Sequence, residues 1–96
     1  MSHEPTSGVN ADDVLRAFAR AVRARRDELG ISQEELAHRA GLHRTYISDL
    51  ERGARNIALT NIVRLAAALD LPVADLFTAD VFQSRKRGSD ADSATV

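Results

Sequence analysis

The chain has 96 residues, no cysteine, no tryptophan and a formal net charge of −1. That length allows a single domain, and the missing cysteines exclude a disulfide scaffold and a thiolate zinc site. No apolar stretch approaches the roughly 20 residues of a membrane span, and Met1-Ser2-His3-Glu4-Pro5 lacks a secretory pattern, so a cytoplasmic protein is expected.

Residues 1–10 hold Ser2, Pro5, Ser7, Gly8 and Asn10 with little apolar content and read as a disordered arm. Leu15, Phe18, Val22 and Leu29 then recur at helical spacing. Asn10 with Asp13 marks the start of this first helix, and Gly30 its end. Ser32-Gln33-Glu34-Glu35 is a Ser-x-x-Glu capping box, and Leu36, Ala37 and Ala40 line one face of the helix it opens. Gly41 stops that second helix. A third runs from about Arg44 to Arg52 and ends at Gly53. A fourth covers about Thr60 to Leu69, with Ile62, Val63, Leu65, Ala66 and Leu69 expected inside. Pro72 is expected at the first position of a short fifth helix running through Phe77. Residues 83–96 are polar and small and read as a disordered tail, which leaves 11–82 as the domain. With no period-2 alternation, the fold class is all-α, a compact five-helix bundle.

Helices two and three have almost no linker. Ala37 is small where helix three would cross. Gly41 suits a tight turn of positive φ. Ile47 and Leu50 are spaced to plug helix three onto the core, and Leu42 leads into it. Together these features are a helix-turn-helix signature. The stretches Gly30-Ile31-Ser32-Gln33-Glu34-Glu35-Leu36-Ala37, Ala40-Gly41-Leu42 and Ile47-Ser48-Asp49-Leu50-Glu51-Arg52-Gly53 resemble the phage-repressor/Cro-type family, also called XRE, over about residues 14–78. Leu42-His43-Arg44-Thr45-Tyr46-Ile47-Ser48 with Arg55-Asn56-Ile57 is similar to controller proteins of restriction–modification systems. The resemblance implies a lambda-repressor-like DNA-binding domain. This chain departs from the family's frequent proline near Ile57, serine cap near Ala58 and apolar residue at Arg25.

At 100° per residue, Ile47, Leu50 and Glu51 share one side of helix three, while Thr45, Ser48, Asp49 and Arg52 face the other way. Arg44 and Tyr46 flank that second face, and His43 sits at its tip. Short polar groups entered through a basic end suit major-groove reading. Arginine can fork onto guanine, Thr45 can meet a thymine methyl, and Asp49 can accept from cytosine N4. The resemblance implies base contacts at His43, Arg44, Thr45 and Asp49. It implies phosphate contacts at Gln33, Arg52, Arg55 and Asn56; Gln33 follows the Ser32 cap, where backbone amides favour an anion. Ser48 joins the phosphate set. Tyr46 is either core edge or a phosphate contact through its phenol.

Glu51 points inward and needs a partner, since an uncompensated buried carboxylate is expensive. Arg26 on the stripe of helix one is the expected partner, and the family pairs these two positions; Arg25 is the competitor. His38 and His43 do not share a helical face, so no metal site is expected, and no cofactor or small-molecule ligand. No nucleophile elbow or paired-carboxylate site is visible, so the chain is not read as an enzyme. Arg85-Lys86-Arg87 reads as solvated tail. Val73, Leu76, Phe77, Val81 and Phe82 are either core closure or an apolar patch for a homodimer, the use the family often makes of this helix.

The expected function is a homodimeric, sequence-specific transcriptional regulator on a pseudo-palindromic double-stranded operator, with a nucleoid-associated location and no sensor domain. Repression would come from blocking RNA polymerase; activation would need a contact with it. An antitoxin-type autorepressor and a protein–protein adaptor are the competing readings. The net charge conceals a segregation. Residues 14–64 hold ten arginines against six acids, or +4, whereas 1–13 carry −3 and 65–96 carry −2. The basic middle fits a DNA partner, and its modest size means weak non-specific binding.

Overall fold

The computed structural model describes residues 10–78. They form α1 (Ala11–Leu29), α2 (Gln33–Ala40), α3 (Arg44–Glu51), α4 (Leu59–Ala68) and a closing 3-10 turn, Val73–Phe77. No strand occurs among the described residues. No described helix is long and apolar enough to cross a membrane. The arm, the tail, Val81 and Phe82 lie outside these residues.

Local capping chemistry sets the helix starts. Asn10 Oδ1 accepts from the backbone N–H groups of Asp12 at 2.8 Å and Asp13 at 3.3 Å, two donors that the first turn otherwise leaves unpaired. Ser32 Oγ accepts from Glu35 N–H at 2.9 Å. The Glu35 carboxylate instead accepts from Arg39 Nε at 2.9 Å, one helical turn on. Gly41 closes α2 at φ 71°, a left-handed conformation that a β-carbon would strain. Gly53 has φ 70°, and a β-carbon there would also meet Arg16 Cγ at 3.1 Å. That close approach seats the loop after α3 against α1.

Four α-helices form where five were expected. The fifth segment is a five-residue 3-10 turn, too short to recover the nucleation cost of an α-helix. Pro72 precedes it in an extended conformation (φ −62°, ψ 145°), as its cap rather than its first residue. Helix α4 starts at Leu59, one residue before the expected Thr60, behind an Ala58 that makes no side-chain cap. Its backbone (φ −72°, ψ 149°) already has the cap conformation. Ala58→Ser is therefore expected to stabilise the fold by about 1 kcal/mol, read as a rise in thermal midpoint. An unchanged midpoint would mean that the helix start is satisfied by water.

Phe18, Val22, Leu36, Ile47, Leu50, Leu65, Leu69 and Leu76 are fully buried and join every element in one core. The Phe18 and Phe77 ring centroids stand 5.2 Å apart, tying the terminal turn to α1. Arg25 donates to the Leu69 carbonyl at 2.9 Å and the Asp70 carbonyl at 3.5 Å. It thus caps the end of α4, where Asp70 turns the chain at φ 57°. The apolar expectation for helix four fails at Val63, whose residue surface is 51% exposed.

Candidate nucleic-acid interface

The α2–α3 turn is tight enough for Leu42 N–H to donate to the Ala37 carbonyl at 2.9 Å. Ala37 is buried, so α2 and α3 pack without an intervening large side chain. Ile47 and Leu50 plug α3 into the core, which fixes its rotation and turns the opposite face outward. His43, Arg44 and Thr45 are all exposed at the N-terminal end of that face. His43 is the α3 N-cap, but its side chain does not cap the helix.

The other end of the face is tied together. Arg52 Nη2 donates to Asp49 Oδ1 at 2.6 Å, and Arg52 Nη1 to Ser48 Oγ at 3.3 Å. Arg55 Nη2 donates to Asp49 Oδ2 at 3.2 Å. The Arg55 guanidinium also lies 4.9 Å from the Tyr46 ring centroid, a cation–π contact. These guanidinium hydrogen bonds, Arg55 first, hold the Asp49 carboxyl below the ordinary carboxylate range. Tyr46 is half-buried, and its hydroxyl accepts from Asn61 Nδ2 of α4 at 3.2 Å. Asn56 is exposed in the loop after α3. The Gln33 side chain turns inward, where Nε2 donates to Glu51 Oε1 at 3.1 Å. Its second amide hydrogen is the donor that remains for an anion at the α2 N-terminus.

Beneath this face Glu51 is held by a bidentate pair. Arg26 Nε donates to Oε2 at 2.8 Å and Arg26 Nη2 to Oε1 at 3.0 Å. Only 4% of the Glu51 side chain and 14% of the Arg26 side chain are exposed. Arg26 Nη1 also donates to the Ile31 carbonyl at 2.9 Å. The Glu51 hydrogen bonds raise the Arg26 pKa, outweighing the lowering effect of burial. One guanidinium thereby joins α1, the α1–α2 turn and α3.

Of the expected apolar patch, Val73, Leu76 and Phe77 lie among the described residues. Val73 is exposed, Phe77 is half-buried, and Leu76 is fully buried in the subunit core. Leu76 therefore cannot lie on an accessible patch, because the short 3-10 turn directs it inward. The sequence reading missed Leu59, 72% exposed, and Val63, which lie four residues apart on one face of α4. The available signal was an excess: Leu59, Ile62, Val63, Leu65 and Ala66 exceed one helical stripe.

The helix-turn-helix family model matches residues 22–76. The control protein C.SmaI of Serratia marcescens is 40% identical over 74 residues, covering 77% of this chain and 88% of that protein. The crystal structure of the restriction-modification controller protein C.AhdI from Aeromonas hydrophila is 46% identical, with a TM-score of 0.65, over 66% of this chain and 96% of that one. The C.Esp1396I controller protein, solved as a tetramer with its natural 35 base-pair operator, is 31% identical with a TM-score of 0.63, over 67% of this chain and 84% of that one.

Proposed function

The chain belongs to the XRE-type helix-turn-helix family, whose members are DNA-binding transcriptional regulators rather than enzymes, and from that premise we propose that it is a cytoplasmic control protein binding a pseudo-palindromic operator as a homodimer. The observation that carries the reading is the N-terminal face of α3, where His43, Arg44 and Thr45 stand exposed over a helix locked by Ile47 and Leu50. That end enters the major groove, Arg44 forks onto a guanine, and Thr45 meets a thymine methyl. Arg52, Arg55 and Asn56 lie against the flanking phosphates, with Gln33 at the start of α2. A neighbouring fold solved on a 35 base-pair operator supports this docking. A dimer places two such helices about 10 base pairs apart. Occupancy then tracks dimer concentration, and repression follows from occlusion of polymerase.

Operator selection from random duplexes, followed by fluorescence anisotropy, tests the assignment. Arg44→Ala is expected to cost roughly 1–3 kcal/mol on the selected operator and to relax preference at one base position. Arg55→Ala is expected instead to weaken binding to the selected operator and to reduce the salt slope of that binding by about 1. If neither variant changes operator binding, α3 is not the reading helix.

A further inference from the structure

The α3 face has two halves in different electrostatic states. His43, Arg44 and Thr45 stand exposed, while Arg52 and Arg55 converge on the two oxygens of one carboxylate, Asp49, at 2.6 and 3.2 Å. A carboxylate with two guanidinium groups on separate oxygens offsets the positive charge that a DNA phosphate would meet and holds one N–H of each. These two arginines are among the cations assigned to phosphates above. They cannot offer the same Nη2 hydrogens to Asp49 and to DNA.

We propose that Asp49 is an internal phosphate substitute, and that it determines specificity by yielding Arg52 and Arg55 to the DNA backbone only where its carboxylate finds a base-edge donor. This rests on the reading of α3 as the recognition helix. Asp49 lies on the groove-facing side of α3, one turn beyond Thr45. At a cytosine its carboxylate accepts from the N4 amino group, so the arginines can leave without stranding an anion. At guanine or thymine it faces acceptors instead (O6 and N7, or O4), and is repelled. The arginines then remain with Asp49, and the backbone contacts they would make are withheld. The exchange is reversible because the arginines are solvated: their side chains are 62% and 45% exposed, and such surface pairs are weak and salt-screened. The Arg55 guanidinium also lies 4.9 Å from the Tyr46 ring centroid, which keeps it beside this face.

The consequence concerns wrong sites rather than right ones. Binding to random duplex should be weaker than the arginine content of the face implies, and removing the carboxylate should release it. The test compares wild type, Asp49→Asn and Asp49→Glu on a random-sequence duplex and on the operator recovered by selection, across a salt series. Asp49→Asn is expected to steepen the random-duplex salt slope by about 1 to 2. With a slope near 0.9 per phosphate, each additional phosphate neutralised is worth roughly eightfold in affinity at 0.1 M salt. The ratio of operator to random affinity should fall accordingly. Asp49→Glu keeps a negative charge on this face, so its random-duplex salt slope should steepen less than that of Asp49→Asn. An unchanged slope and random-duplex affinity in Asp49→Asn, with a wild type that prefers its operator, overturns the proposal alone. So does a loss of affinity for both duplexes, which would make Asp49 a scaffold for the arginines. A wild type with no preference for any duplex overturns the reading of α3 as well.

Discussion

Arg26→Ala is expected to destabilise the fold by roughly 3–5 kcal/mol, because it strands the Glu51 carboxylate where only 4% of the side chain reaches solvent. For a domain of this size each kcal/mol moves the midpoint by about 4–8 °C, so a fall of at least about 12 °C should appear in a thermal melt. Two further variants separate charge from packing. Glu51→Gln keeps an oxygen for Arg26 and removes the buried negative charge, and should be milder. Arg26→Met with Glu51→Leu removes both charges and should recover much of the loss, since a buried ion pair seldom outperforms apolar residues of similar volume. DNA affinity, measured below the midpoint of each variant, should fall wherever α3 loses its anchor on α1. If Arg26→Ala melts within a few degrees of wild type, the pair does not hold these helices together.

Introducing charge at Leu59 and Val63 is expected to reduce operator affinity about a hundredfold or more. These are the most exposed large apolar side chains among the described residues, and their spacing puts both on one face of α4. The proposed homodimer gives them an apolar environment, and Val73 is the other exposed large apolar residue among those described. Linking two half-site contacts multiplies affinity by roughly 10² to 10⁴ without any new contact to DNA, and monomers forfeit that factor. Leu59→Asp combined with Val63→Asp should shift the sedimentation mass at micromolar concentration toward the monomer's 10.5 kDa and leave helical circular dichroism in place. A variant that stays dimeric and keeps its affinity would move the interface elsewhere.

What the sequence made legible was local. Asn10, Ser32 and Gly41 act on backbone groups within a few residues, so their identities suffice to place helix ends. The inward direction of Glu51 follows from helical periodicity, and the need for a partner follows from burial. What stayed hidden depends on tertiary surroundings. Period alone cannot orient α4, whose apolar residues cover more than one face; packing against the core chose Leu65 and left Val63 outside. Gln33 reads as an anion donor until Glu51 is seen within 3.1 Å of it. Arg25 departs from the family's apolar habit because the end of α4 supplies two carbonyls for it. Asp49 reads as a base-reading group, and nothing in its spacing reveals that Arg55 reaches it from beyond Gly53.

The hydrogen bond from Asn61 to the Tyr46 hydroxyl joins α4 to the recognition helix. On the proposed dimer, the same α4 that meets the partner copy also braces the helix lying in the groove. The molecule then works as a gauge of helical phase. Each inserted base pair displaces one half-site by about 3.4 Å and rotates it by about a tenth of a turn, and a braced pair of helices has little slack to follow. Spacing between half-sites becomes part of the message, carried by residues that touch no base.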